Sequence, residues 1–104
     1  FDDDISTVCA AFNLEVVKNK IESARVAFGG MAEIPKRAIF CEKILLNSLV
    51  NDETIHKAQN ALEKDFKPIS DMRASGLYRM EVAKNLLEKC CVEIKQKKLI
   101  GLYA

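Results

Sequence analysis

The sequence predicts an α+β fold: a small antiparallel sheet, made of an N-terminal hairpin and a candidate short third strand, covered by about three helices. Two observations predict it. Residues 5–28 alternate apolar and polar with period two, whereas residues 52–97 carry apolar residues at steps of three and four. The two regimes follow one another without interleaving, an order that puts helices on one face of an antiparallel sheet.

In "ISTVCAAFNLEV" (5–16), Val8, Ala10, Phe12, Leu14 and Val16 share one face, and Thr7, Cys9, Ala11, Asn13 and Glu15 share the other. That is the pattern of a half-buried strand. "VKNK" follows, whose Asn19 tolerates a left-handed turn, and then "IESARVAFGG", with Ala24, Val26 and Phe28 on the apolar side against Ser23 and Arg25. The pair reads as a β-hairpin. Two strands are marginal in water, so the apolar side requires a third strand or a helical cover. Gly29 and Gly30 close the second strand, Pro35 disfavours a helix, and Ala38 to Phe40 are a candidate edge strand.

"CEKILLN" (41–47) is expected to be a short helix, because Ile44 and Leu45 share the face of Cys41. In "NDETIHKAQNALEKDF", Asn51 or Asp52 can cap a helix over roughly 52–66 with the apolar stripe Ile55, Ala58, Leu62 and Phe66. Asp52 and Glu53 suit the positive end of its dipole. Lys67 and Pro68 end it. A long C-terminal helix follows, in which Tyr78, Val82, Leu86, Cys90 and Ile94 recur every fourth residue, accompanied by Ala83, Leu87 and Cys91. Ser70 or Asp71 is a plausible cap, with Ser75 and Gly76 a second possible start.

The 104 residues fit a single domain, 1–104, with room for one modest core. A formal net charge of +1 gives no electrostatic case for nucleic acid. No apolar run approaches the ~18 residues of a membrane span, and "FDDDIS" lacks the features of a signal peptide, so a cytoplasmic protein is expected. Cys9, Cys41, Cys90 and Cys91 include no C-x-x-C pair, and adjacent residues on a helix point apart, so no metal site is expected from them.

His56, the sole histidine, falls on the polar side of its helix without an obvious relay partner, which argues for a solvated side chain over a general base. "FGGMAEIP" has the adjacent glycines of a phosphate nest but neither G-x-G-x-x-G spacing nor a Walker lysine, and a strand end is the better reading. The run "DDD" at 2–4 reads on spacing alone as a solvated turn. "PISDMRASGLYRM" (68–80) concentrates Asp71, Arg73, Tyr78 and Arg79 at the start of the last helix, a set that more often makes a fixed ion-pair network than a catalytic one.

Three stretches in order, "FDDDIS" with "CAAF", "ARVAFGGMAEIPKRA" (24–38) and "SDMRASGLYR" (70–79), resemble the C-terminal domain of the FAD-binding subunit of molybdenum hydroxylases. This is the xanthine dehydrogenase and CO dehydrogenase flavoprotein family, and the resemblance is nearest to the flavin portion of bacterial xanthine dehydrogenases. It runs from about residue 1 to 95. It implies an antiparallel sheet with three helices, in an enzyme whose molybdenum centre hydroxylates a purine and whose two iron–sulfur clusters pass electrons to FAD and then NAD. There the cofactor carries the redox chemistry, and the protein supplies position and electrostatics.

By this resemblance the domain is the minor contributor to the flavin site, since the family's phosphate-cradling glycine loop lies on a preceding domain. Asp3 and Asp4 are implied to lie beside the flavin, and Gly29, Gly30, Arg37, Asp71, Arg73, Tyr78 and Arg79 to be interface or framework residues. No catalytic residue and no iron–sulfur ligand carries over. The implied partners are the preceding FAD-binding domain and other parts of the parent enzyme. The isolated chain is expected to bind FAD weakly or not at all, not to be catalytic alone, and to be open to self-association. A lysine that the family places just upstream is missing because the chain starts at Phe1, as expected of an excised fragment or a truncated product. The alternative is a free-standing protein-interaction module with the same fold and no redox role, which an independent start codon in place of an upstream flavin domain would favour.

Overall fold

The computed structural model describes residues 8–32, 34–66 and 74–99, with the backbone alone described at 74, 75 and 97–99. Strands β1 (Cys9–Val17) and β2 (Lys20–Gly29) form the hairpin. Val17 faces Lys20, and the two residues between them, Lys18 and Asn19, have φ of 53° and 67°. Positive φ at both central residues is the type I′ requirement, the turn whose twist matches that of the flanking strands.

The register runs evenly from Cys9↔Gly29 to Glu15↔Ser23 and then slips, with Val16 opposite Ile21. Glu22 is the extra residue of a β-bulge. Strict alternation would send Ile21 outward with Ser23 and Arg25; the bulge turns it inward, and Ile21 is fully buried beside Val26 and Phe28. Period-two reading of β2 therefore missed one of its three largest core contributors.

A third strand, β3 (Lys36–Arg37), pairs antiparallel with β2 through Ala27↔Arg37 and Phe28↔Lys36, giving the order β1-β2-β3. It lies just before the expected Ala38–Phe40. Ala38 instead precedes helix α1 (Ile39–Leu45), and its amide donates to the Val26 carbonyl at 2.7 Å. The helix starts two residues before "CEKILLN" because a distant carboxylate caps it: Asp65 Oδ1 accepts from the Phe40 amide at 2.8 Å and Oδ2 from the Cys41 amide at 2.9 Å. Ala38 itself supplies no side-chain cap. After the helix, Asn47 adopts φ 65°.

Helix α2 (Asp52–Asp65) begins with Asn51 Oδ1 accepting from the Thr54 amide at 2.8 Å, an N-cap. Helix α3 (Ala74–Leu99) is the long C-terminal one. Its core row is Ala83, Leu87 and Cys91; in the expected leading row Val82, Leu86, Cys90 and Ile94 are half-buried and Tyr78 is exposed. Both rows repeat every fourth residue, and packing against α2 selected the row with the smaller residue at its start. The alternative caps at Ser70 and Asp71 lie outside the described residues.

The core joins Ile21, Val26 and Phe28 of β2 to Cys41 and Leu45 of α1, Ile55, Ala58 and Leu62 of α2, and Leu87 and Cys91 of α3. Phe28 meets Phe12 and Phe66 edge-to-face at centroid distances of 5.9 and 5.7 Å, which ties β1 through β2 to the end of α2. Among the described residues no helix is long and apolar enough to cross a membrane.

Candidate functional site

The sheet has two ends with different chemistry. At one, β1 begins and β2 finishes, with Cys9 opposite Gly29. A Cβ on Gly29 would stand 2.9 Å from Cys9 Sγ, so this close approach favours glycine. Gly30 has φ 88°, where glycine is at ease. Its carbonyl accepts from Arg79 Nη1 at 3.3 Å, which links the second turn of α3 to this corner. Gly29, Gly30 and Arg79 are thus brought together, with Tyr78 and Leu77 about half exposed on the same helical turn.

Arg37 does not join them. It lies on β3 and reaches Glu42 of α1 in a fork, Nη2 to Oε1 at 2.7 Å and Nε to Oε2 at 3.1 Å. Glu42 Oε2 also accepts from the Val26 amide at 2.8 Å. Burial pushes the Glu42 carboxyl upward, but the bonds from Arg37 and Val26 and the charges of Arg37 and Arg25 outweigh it and hold the group below its ordinary range. Asp65, almost fully buried, spends both oxygens on the start of α1, while its own carbonyl accepts from Lys36 Nζ at 2.9 Å. The two carboxylates hold α1 against the sheet and α2, and their oxygens are engaged as acceptors.

Sequence reasoning missed both. The available signal was position: Asp65 falls three residues after Leu62, on the apolar stripe of α2, and Glu42 sits between Cys41 and Leu45 on α1. A carboxylate on an apolar stripe needs buried donors, and the backbone donors come from 16 to 25 residues away.

His56 is exposed on α2. Cys9 is exposed and Cys90 half-buried, while Cys41 and Cys91 are buried; burial pushes the Cys91 thiol up to about 12 and Cys41 higher still. Among the described residues no group of three His, Cys, Asp or Glu could hold a metal ion. Asp3, Asp4, Asp71 and Arg73 lie outside the described residues.

At the opposite end, around the hairpin turn, an open depression of about 380 Å³ is lined by residues of α1, the following loop and the start of α2. It is exposed, and no glycine loop borders it. Its lining, which contains no glycine, therefore offers no glycine-loop cradle for phosphate.

Residues 1–94 match the family described as the CO dehydrogenase flavoprotein C-terminal domain. The chain is 31% identical over 91 residues to the glyceraldehyde dehydrogenase medium chain of Sulfolobus acidocaldarius, covering 88% of this chain and 32% of that one. It thus spans about a third of the length of that relative. Among solved structures, quinoline 2-oxidoreductase from Pseudomonas putida 86 superposes with a TM-score of 0.70 at 25% identity, over 86% of this chain and 31% of that chain. Reconstituted CO dehydrogenase from Oligotropha carboxidovorans gives 0.68 at 28% identity, over 80% and 29%. With the three-stranded sheet and three helices among the described residues, and this match over nearly all of its length, the chain belongs to the CO dehydrogenase flavoprotein C-terminal domain family.

Proposed function

We propose that the chain is one domain, the C-terminal part of the FAD-binding portion of a cytoplasmic molybdenum hydroxylase, and that it closes one side of a flavin site whose phosphate cradle lies on a preceding domain. The observation that carries the reading is the match of residues 1–94 to a flavoprotein C-terminal domain. The placement of Gly29, Gly30 and Arg79 at the end of the sheet where the chain enters β1 supports it, because Asp3 and Asp4 precede that point by only a few residues. Carboxylates beside the ring disfavour further negative charge on it, so the roles assigned to Asp3 and Asp4 are electrostatic. Arg79, Gly29 and Gly30 frame that corner, Arg37 stiffens the sheet edge behind it, and Asp71, Arg73 and Tyr78 serve docking.

In the narrower form of this reading the parent resembles a xanthine dehydrogenase, with iron–sulfur clusters feeding FAD and NAD as acceptor. Its support is the resemblance of the motifs; the relatives named above are, by their names, enzymes of glyceraldehyde, quinoline and carbon monoxide. Titration of FAD into the 104-residue chain should give weak or no binding. Tight stoichiometric binding would overturn the one-sided site. In the intact parent, Asp3→Ala should alter the flavin potential or acceptor reactivity while hydroxylation measured with an artificial acceptor stays unchanged. Loss of that hydroxylation would place Asp3 elsewhere.

A further inference from the structure

The turn end of the sheet has a built surface that the flavin reading does not use. The loop after α1 is laid along β2 by three backbone bonds: Asn47 amide to Ile21 carbonyl at 2.7 Å, Ile21 amide to Ser48 carbonyl at 2.9 Å, and Val50 amide to Asn19 carbonyl at 3.1 Å. These bonds fix the loop and leave Leu46 and Leu49 42% and 50% exposed beside the depression, with Val17 52% exposed across the Lys20↔Leu49 bridge. Three large apolar side chains turned outward on a hydrogen-bonded frame are costly to leave wet.

The rim around them is rich in lysine. Lys43 and Lys57 line the depression, Lys18 and Lys20 stand at the hairpin turn, and Lys95 reaches this end from α3. Of the carboxylates present, Asp52 meets Lys95 at 3.4 Å and Glu53 meets Lys57 at 3.3 Å, which leaves Glu15 and Glu22 against Lys18, Lys20 and Lys43, the last of these 5.7 Å from the Phe40 ring. The last helix continues into Lys97 and Lys98 at the same end of the sequence, so the chain's own C-terminal stretch is poorly matched in charge to this rim. The surface also lies at the opposite end of the sheet from the start of β1, the side on which the flavin reading puts the preceding domain.

We propose that this turn-end surface docks an acidic, apolar-anchored segment of another chain of the parent enzyme, with Val17, Leu46 and Leu49 as anchors and Lys18, Lys20 and Lys43 as the complementary rim. The relative named a medium chain belongs, by that name, to an enzyme of several chains, which makes a second chain the natural occupant. Apolar anchors supply the affinity of such a contact, while rim charges set encounter rate and salt dependence. The proposal rests on the flavin-subunit reading for the existence of the other chains.

The test uses the full-length parent flavin subunit and the remaining chains of the same enzyme, purified separately. Leu49→Glu should weaken their association at least about tenfold, and Lys20→Glu with Lys43→Glu, both exposed and outside the core, should weaken it and flatten its salt dependence. Amides of 46–50 should exchange more slowly in the assembled enzyme than in the subunit alone. FAD content should remain full in both variants. Unchanged association and exchange overturn the proposal, as does a parent that works as a single chain. Loss of FAD together with association overturns it too, because the surface would then be coupled to the flavin side. If the lysine variant abolishes only binding of inorganic phosphate or anionic phosphatidylserine vesicles, the site is for an anion or a membrane and the proposal fails. A parent that assembles as expected but never holds FAD refutes the flavin reading and leaves this contact standing.

Discussion

Replacing Asp65 with alanine should destabilise the fold far more than its place in the last turn of a helix suggests. Its two oxygens accept from the Phe40 and Cys41 amides, and the Cys41 bond is buried. A buried donor left unpaired costs about 1–3 kcal/mol, and the partly buried Phe40 amide, which water can reach, sits at the low end of that range. The sum is about 2–4 kcal/mol, which for a chain of this size lowers Tm by roughly 10–25 °C. The Lys36 bond is to the Asp65 carbonyl and survives the substitution. Asp65→Asn keeps one acceptor but turns an NH₂ toward a donor, so it should fall between alanine and wild type. Urea denaturation followed by far-ultraviolet circular dichroism measures all three, with Lys64→Ala, one exposed residue away, as a control expected within about 0.5 kcal/mol. An Asp65→Ala loss no larger than that of the control would refute the view that α1 is started by a long-range cap.

Because the Glu42 carboxyl is held below its ordinary value of 4.5, its contribution is complete above that pH and is lost as pH falls through the lowered value. Denaturation midpoints between neutral pH and about pH 3 should therefore drop less steeply in Glu42→Gln than in wild type. Thiol labelling with a disulfide reagent should modify exposed Cys9 fastest and Cys90 next, with Cys41 and Cys91 reacting only on unfolding, since both are buried and their thiols resist ionisation. Gly29→Ala should cost about 1–3 kcal/mol by overpacking, and Cys9→Ala in the same chain should remove much of that cost, because Cys9 Sγ is the atom a new methyl meets. A double-mutant cycle with no coupling would mean that the strand end relaxes elsewhere. Leu87→Ala, which opens a cavity where α3 enters the core, should cost about 2–5 kcal/mol by the same denaturation assay.

The pattern of apolar residues determined the class of fold, the hairpin, α2 and the long last helix, while the structure chose Asn51 over Asp52 as the cap of α2. These depend on contacts within a few residues, and local periodicity records them. Three short motifs carried the family resemblance. The tertiary structure decided what rests on residues brought from far away. The bulge at Glu22 resets which side of β2 faces inward, and only the pairing of Val16 with Ile21 reveals it. The start of α1 depends on a carboxylate 24 residues further along, so no capping residue appears at Ala38 in the sequence. Two equally periodic rows on α3 differ only in which one α2 packs against, and that selected Ala83, Leu87 and Cys91. The candidate site followed the same division: the glycine pair could be seen as a strand end, but its link to Arg79 spans 49 residues. Periodicity reports a residue's own element, whereas a helix start, a strand's facing and a site are set by which elements meet.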